Sequence, residues 1–246
     1  MTLLIATVTP RFAAITQDSY VTADADKAKI SDHACAVADF SAGDEPWLGF
    51  AGDGEPPTDR PLCFVQKVTV AGNVVLAGAG SYLLFVRWAA ELAHRPEAGD
   101  VAAADRIAPE RLRALRDELA IRLPTCFVHV GWSKERGRVG GFLYSSAEDF
   151  RSRPLRAGHA MSPMVAPDDP EYDDLAARWT PAALGIGTEE FHVRAAQNVY
   201  RAYRRGLYAK GAGIGGWLDT AVITADGIEV KRTNPFPDDL GRAEAR

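Results

Sequence analysis

The order in which β-rich pairs and helical runs follow one another along this chain restricts its fold more than any other feature. From Thr2 to Val8 the run TLLIATV is β-rich, Thr9-Pro10-Arg11 reads as a turn, and Phe12 to Thr16 forms a return strand. A second pair, CFVQKVTV and VVLAGAG, folds about Ala71-Gly72-Asn73, and its apolar strands predict burial on both faces. TCFVHVGW and GGFLYSS flank the charged turn Lys134 to Gly137, and TAVIT and IEVKRT flank Ala225-Asp226-Gly227. Helical spacing appears in between. Leu83, Leu84, Val86, Ala90 and Leu92 predict a helix that Pro96 stops, and Leu112, Leu115 and Leu119 form one stripe of a second helix over Pro109 to Ile121. A third, from Glu189 to Leu207, carries Val193, Ala196, Val199 and Tyr203 in register.

Strands, two helices, strands, one helix and strands again predict two antiparallel sheets packed face to face with helices on both outer sides. That is an α+β, four-layer αββα sandwich. A doubly wound sheet would need strands and helices to alternate regularly, and here they do not. A chain of 246 residues can bury one sizeable core, so a single domain over 1–246 is expected. Within it, residues 20–66 read as a surface insertion, because ADADKAK, SAGDEP and GDGEPPTDRP are dense in Gly, Pro and Asp, with one short strand expected at His33 to Val37.

Charge removes several classes of partner. Lys and Arg total 28 against 33 Asp and Glu, a net charge of -5, which disfavours both nucleic acid and anionic membranes as partners. Arg201, Arg204 and Arg205 read as the solvated face of a helix. Cys35, Cys63 and Cys126 are odd in number and lack a Cys-x-x-Cys pair, so they predict buried thiols and neither disulfides nor zinc. Asp53, Asp59, Asp168, Asp169, Asp173 and Asp174 lack EF-hand spacing and read as solvated loops, and no metal or cofactor is expected. Pro10 and Arg11 end the apolar start too early for a signal or a membrane span, which predicts a cytoplasmic protein.

Four places could carry chemistry. A small residue at position 2 favours removal of Met1, which leaves the Thr2 hydroxyl beside a free α-amine, one of the few groups with a pKa near ~8 that can serve as its base. Asp18 closes the return strand of the first hairpin, so its carboxylate comes back towards the terminus. Lys67 opens an otherwise apolar hairpin, where a buried cation needs an anion, and Asp18 can supply one. Gly80, in AGAGS, lies between a strand and a helix, where a backbone N–H can face outward and the helix terminus favours an oxyanion. Each has a plainer explanation as a chance terminus, a turn former, a snorkelling edge lysine or a tight turn.

Taken together, Thr2, Asp18-Ser19, Lys67-Val68 and AGAGSYLLFVRWAAEL resemble proteasome β subunits and the bacterial proteasome-like peptidase, both N-terminal-nucleophile hydrolases. The match is good over residues 2–95 and collinear beyond. It implies a threonine amidohydrolase, with peptidases as one form of that activity, in which Thr2 is the nucleophile, its α-amine or Lys67 the base, Asp18 the group that orients Lys67, and the Gly80 amide the oxyanion donor. It also implies a homo-oligomer with a peptide or amide substrate. A catalytically silent scaffold or assembly subunit is the alternative, as proteasome α subunits are. The family's supporting Asp and Ser appear here as Gly211 and Ile214, and its Ser-Gly pair is represented only by His159 or Ser162 in AGHAMSP.

Overall fold

The computed structural model describes residues 4–9, 11–18, 20–22, 61–64, 67–122, 125–155, 159–161 and 216–233. The first sheet is built from β1 (Leu4–Val8), β2 (Ala13–Asp18), β10 (His159–Met161), β11 (Leu218–Ile223) and β12 (Ile228–Thr233) in the order β10-β1-β2-β11-β12. The second contains β5 (Val68–Ala71), β6 (Val74–Ala79), β7 (Cys126–Ser133), β8 (Arg138–Ser145) and β9 (Arg153–Pro154), in sequence order. All pairings are antiparallel. A separate two-stranded ribbon joins β3 (Tyr20–Thr22) to β4 (Pro61–Phe64).

Side-chain alternation decides how the sheets stack. Leu4, Ala6 and Val8 of β1, Ala13 and Ile15 of β2, and Ala221 and Ile223 of β11 share one buried cluster with Val75 and Ala77 of β6, Val128 and Val130 of β7, and Val139 of β8. The two sheets are therefore face to face. The opposite face of the second sheet supplies Leu76, Phe127, Phe142 and Tyr144 to a second cluster, completed by α1 (Tyr82–Ala93) and α2 (Val101–Glu118) through Leu84, Trp88, Leu92, Ala104, Ala108 and Leu112. Ala14, Thr16, Thr220 and Val222, on the outer face of the first sheet, are buried as well. The helix expected over 189–207, the strand expected at His33 to Val37, Cys35, the acidic loop residues and Arg201, Arg204 and Arg205 lie outside the described residues.

The second helix differs from its sequence reading. It starts at Val101, not Pro109, because the Asp100 carboxylate caps it by accepting from the Ala102 and Ala103 N–H groups at 2.8 and 3.3 Å. Pro109 is then inside the helix. The β2 strand also runs two residues further than expected, to Asp18, because β11 pairs with it over its full length from Leu218↔Asp18 to Ile223↔Ala13. Among the described residues, no helix is long and apolar enough to cross a membrane, and no cluster of His, Cys, Asp and Glu could hold a metal.

Candidate active site

Antiparallel pairing sets which strand ends meet. In the first sheet Leu4↔Gln17 is the last pair of β1 with β2, so Asp18 stands at the end where β1 begins. In the second, Val68↔Ala77 is the last pair of β5 with β6, which brings the start of β5 beside the end of β6. The two ends are joined by side chains. Lys67, one residue before β5, places Nζ 3.6 Å from Asp18 Oδ1, with the side chains 5% and 0% exposed. A desolvated cation and anion at this separation stabilise each other's charged forms.

The long segment between them is drawn together at its base. Tyr20↔Phe64, Val21↔Cys63 and Thr22↔Pro61 pair, with a register shift at Val21/Thr22, so the chain departs and returns through one antiparallel ribbon. Asp18 and Lys67 therefore meet although they are far apart in sequence.

Gly80 follows β6 and has φ 105°, a left-handed conformation that suits glycine. The next residue is anchored twice. The Ser81 N–H donates to Thr125 Oγ1 at 3.0 Å, and Ser81 Oγ accepts from the Leu84 N–H at 3.3 Å to cap α1. Thr125 is held in turn, its N–H donating to Ser146 Oγ at 2.9 Å and its carbonyl accepting from the Ser146 N–H at 2.8 Å. The turn carrying Gly80 is thus fixed against the strand that begins at Cys126.

Two further polar groups at this end escaped the sequence reading. Gln17, 1% exposed, engages both backbone groups of Gly78 on the facing sheet: its Nε2 donates to the Gly78 carbonyl, and the Gly78 N–H donates to its Oε1 at 3.3 Å. Asp219, its register partner on β11, accepts from Arg232 Nε at 2.8 Å and Trp217 Nε1 at 3.1 Å. Burial pushes the Asp219 carboxyl above its usual range, against the pull of Arg232. The available signal was a polar residue at an inward position of an apolar strand, as in AAITQ. Gln17 and Asp219 both fall just outside the strands expected from the sequence, which end at Thr16 and begin at Thr220.

Of the expected site residues, Asp18 and Lys67 come together, and Gly80 lies two residues past the Gly78 that Gln17 holds. Thr2, Ser162, Gly211 and Ile214 are outside the described residues. His159 pairs with Val8, at the opposite end of β1 from Leu4. Cys126, a free thiol, has its pKa raised by burial, which fits a packed cysteine more than a nucleophile.

No family model matches the sequence, and no curated protein is similar to it. Solved structures are similar over its whole length. A mutant of Anbu from Hyphomicrobium sp. strain MC1 superposes with a TM-score of 0.62 at 13% identity, covering 100% of this chain and 93% of that one. Anbu from Yersinia bercovieri, described as an ancestral β-subunit, does so with a TM-score of 0.64 at 10% identity, covering 99% and 92%. Two face-to-face antiparallel sheets, two helices on one outer face and this full-length superposition together give the chain the proteasome-like fold of these Anbu structures.

Proposed function

We propose that the chain is a threonine-type N-terminal-nucleophile amidohydrolase that cleaves amide bonds, peptide bonds among them, once removal of Met1 frees the Thr2 amine. The observation that carries this reading is the buried Lys67–Asp18 pair, 3.6 Å apart, at the end of the sheet where β1 begins. In the sequence Thr2 stands two residues before Leu4, with which β1 begins at that same end.

In this reading the Thr2 oxygen attacks the substrate carbonyl carbon. The hydroxyl proton passes to the α-amine or to Lys67 and then to the leaving nitrogen as the C–N bond breaks. Water hydrolyses the resulting ester and restores the hydroxyl. Asp18 orients Lys67, positive charge beside Thr2 stabilises the developing alkoxide, and the Gly80 amide at the head of α1 donates to the oxyanion. Proteasome-like subunits typically assemble, and a homo-oligomer is the expected form.

A silent assembly subunit on the same fold is the second reading. It is favoured by Gly211 and Ile214 standing where an active site of this kind has Asp and Ser. Intact-mass measurement with and without a β-lactone separates the two. The hydrolase reading expects a mass lacking Met1 and one adduct per chain on the peptide beginning at Thr2, abolished by Thr2→Ala. A retained Met1 with no adduct identifies the scaffold.

A further inference from the structure

We infer that Gln17 is a positioning residue that fixes the spacing between the two sheets at the Lys67–Asp18 pair. This rests on the hydrolase reading for its effect on rate, but its effect on the pair can be tested separately. The layer between the sheets is largely aliphatic around Gln17, formed by Leu4, Ile15, Val68, Ala77, Val128 and their neighbours, with the buried Asp219 as its register partner on β11. A primary amide in such a layer must find partners for both its ends or lose hydration without return. Gln17 gives both ends to one residue, donating to the Gly78 carbonyl and accepting from the Gly78 N–H.

The choice of Gly78 follows from the strand ends. Val68↔Ala77 is the final pair between β5 and β6, so Gly78 is the first residue of β6 beyond its β5 partner. The same register would set Lys67 opposite Gly78. A side chain from the other sheet thus occupies the backbone rung that Lys67, outside the strand, does not complete. Only glycine fits at position 78 without displacing a neighbour, because a Cβ there would lie 2.8 Å from Phe127 Cδ1 and 3.1 Å from the Cys126 carbonyl oxygen.

Both ends of this contact adjoin the ion pair. Gln17 precedes Asp18 on β2, and Gly78 lies at the register position of Lys67 and two residues before Gly80. A two-point amide clamp therefore fixes Asp18 relative to Lys67 and to the turn expected to carry the oxyanion donor. A single hydrogen bond would leave rotation about its axis. Two parallel bonds to one peptide segment do not.

The test uses Gln17→Met, which keeps the length and removes both bonds, and Gln17→Asn, which is too short to make both. One arm measures acylation of Thr2 by a β-lactone as kinact and KI. The other measures reductive methylation of the Lys67 amine by mass spectrometry, with urea unfolding as the check on folding. Positioning expects kinact to fall at least about tenfold with KI within about twofold, and Lys67 to methylate several-fold faster in both variants. Wild-type kinact and wild-type Lys67 labelling in a folded variant overturn the inference. A native chain inert to the lactone refutes the hydrolase reading instead, and Lys67 labelling still decides the role of Gln17.

Discussion

Lys67 and Asp18 are charged groups almost without exposure, so each depends on its neighbours to replace lost hydration. Lys67→Met takes the cation from a buried carboxylate and should cost about 3 kcal/mol. Asp18→Asn should cost a similar amount, and the double variant less than the two singles combined. Urea unfolding of the four proteins gives the coupling energy, and strict additivity would show that the two charges do not interact. His129 raises a different question of charge. It is fully buried on β7, its Nε2 accepts from Trp88 Nε1 at 2.8 Å, and its ring lies against Trp88 and Tyr144. Burial lowers its pKa from 6.5 to about 3. Between those values the unfolded chain binds a proton that the folded chain refuses, so stability falls as pH drops below 6.5. From pH 7 to pH 5 the loss from this group is about 2 kcal/mol. In His129→Gln, which keeps an acceptor for Trp88, that part of the pH slope should vanish from the urea midpoints.

At the scale of elements, hairpins were legible because their evidence is local: alternating or continuous apolar runs separated by Gly, Asp or charged turns. The β7–β8 and β11–β12 hairpins lie where those patterns put them. The start of the second helix was not legible, because Pro109 resembles a first-turn proline and the true cap, Asp100, also serves the neighbouring hairpin by accepting from the Lys134 N–H at 2.6 Å. A proline nine residues into an 18-residue helix removes the N–H that would bond the Asp105 carbonyl. Pro109→Ala restores that donor, and we expect it to stabilise the protein by at least about 1 kcal/mol, seen as a raised midpoint in thermal unfolding. No gain would mean that the Asp105 carbonyl is already satisfied elsewhere. Gly131 marks the opposite limit. An added Cβ would lie 2.4 Å from the Asn73 carbonyl oxygen in the β5–β6 turn and 3.1 Å from Val101 Cβ on α2. Neither contact is the far end of a flexible side chain, so Gly131→Ala should destabilise by about 1–3 kcal/mol.

Across the whole molecule, the meeting of Asp18 with Lys67 could be anticipated only by assuming that everything between them loops out. Composition suggested a surface insertion, but it could not say how the ends of that segment come together, since strand pairing between Tyr20–Thr22 and Pro61–Phe64 depends on register over a long loop. The ribbon supplies the missing constraint, and it makes the insertion testable. Thr22 and Pro61 are register partners, so their Cα atoms lie within about 5.5 Å, a gap that an Asn-Gly turn can bridge. Replacing residues 23–60 by Asn-Gly shortens the closed loop from several tens of residues to two, and loop-closure entropy alone would favour the shorter chain by about 2–3 kcal/mol. If 20–66 is an insertion on a complete domain, the shortened protein should fold, unfold in urea with at least the native midpoint, and keep Lys67 protected from methylation. A protein that no longer folds, or one in which Lys67 becomes freely reactive, would make residues 23–60 an integral part of the core that brings the two charges together.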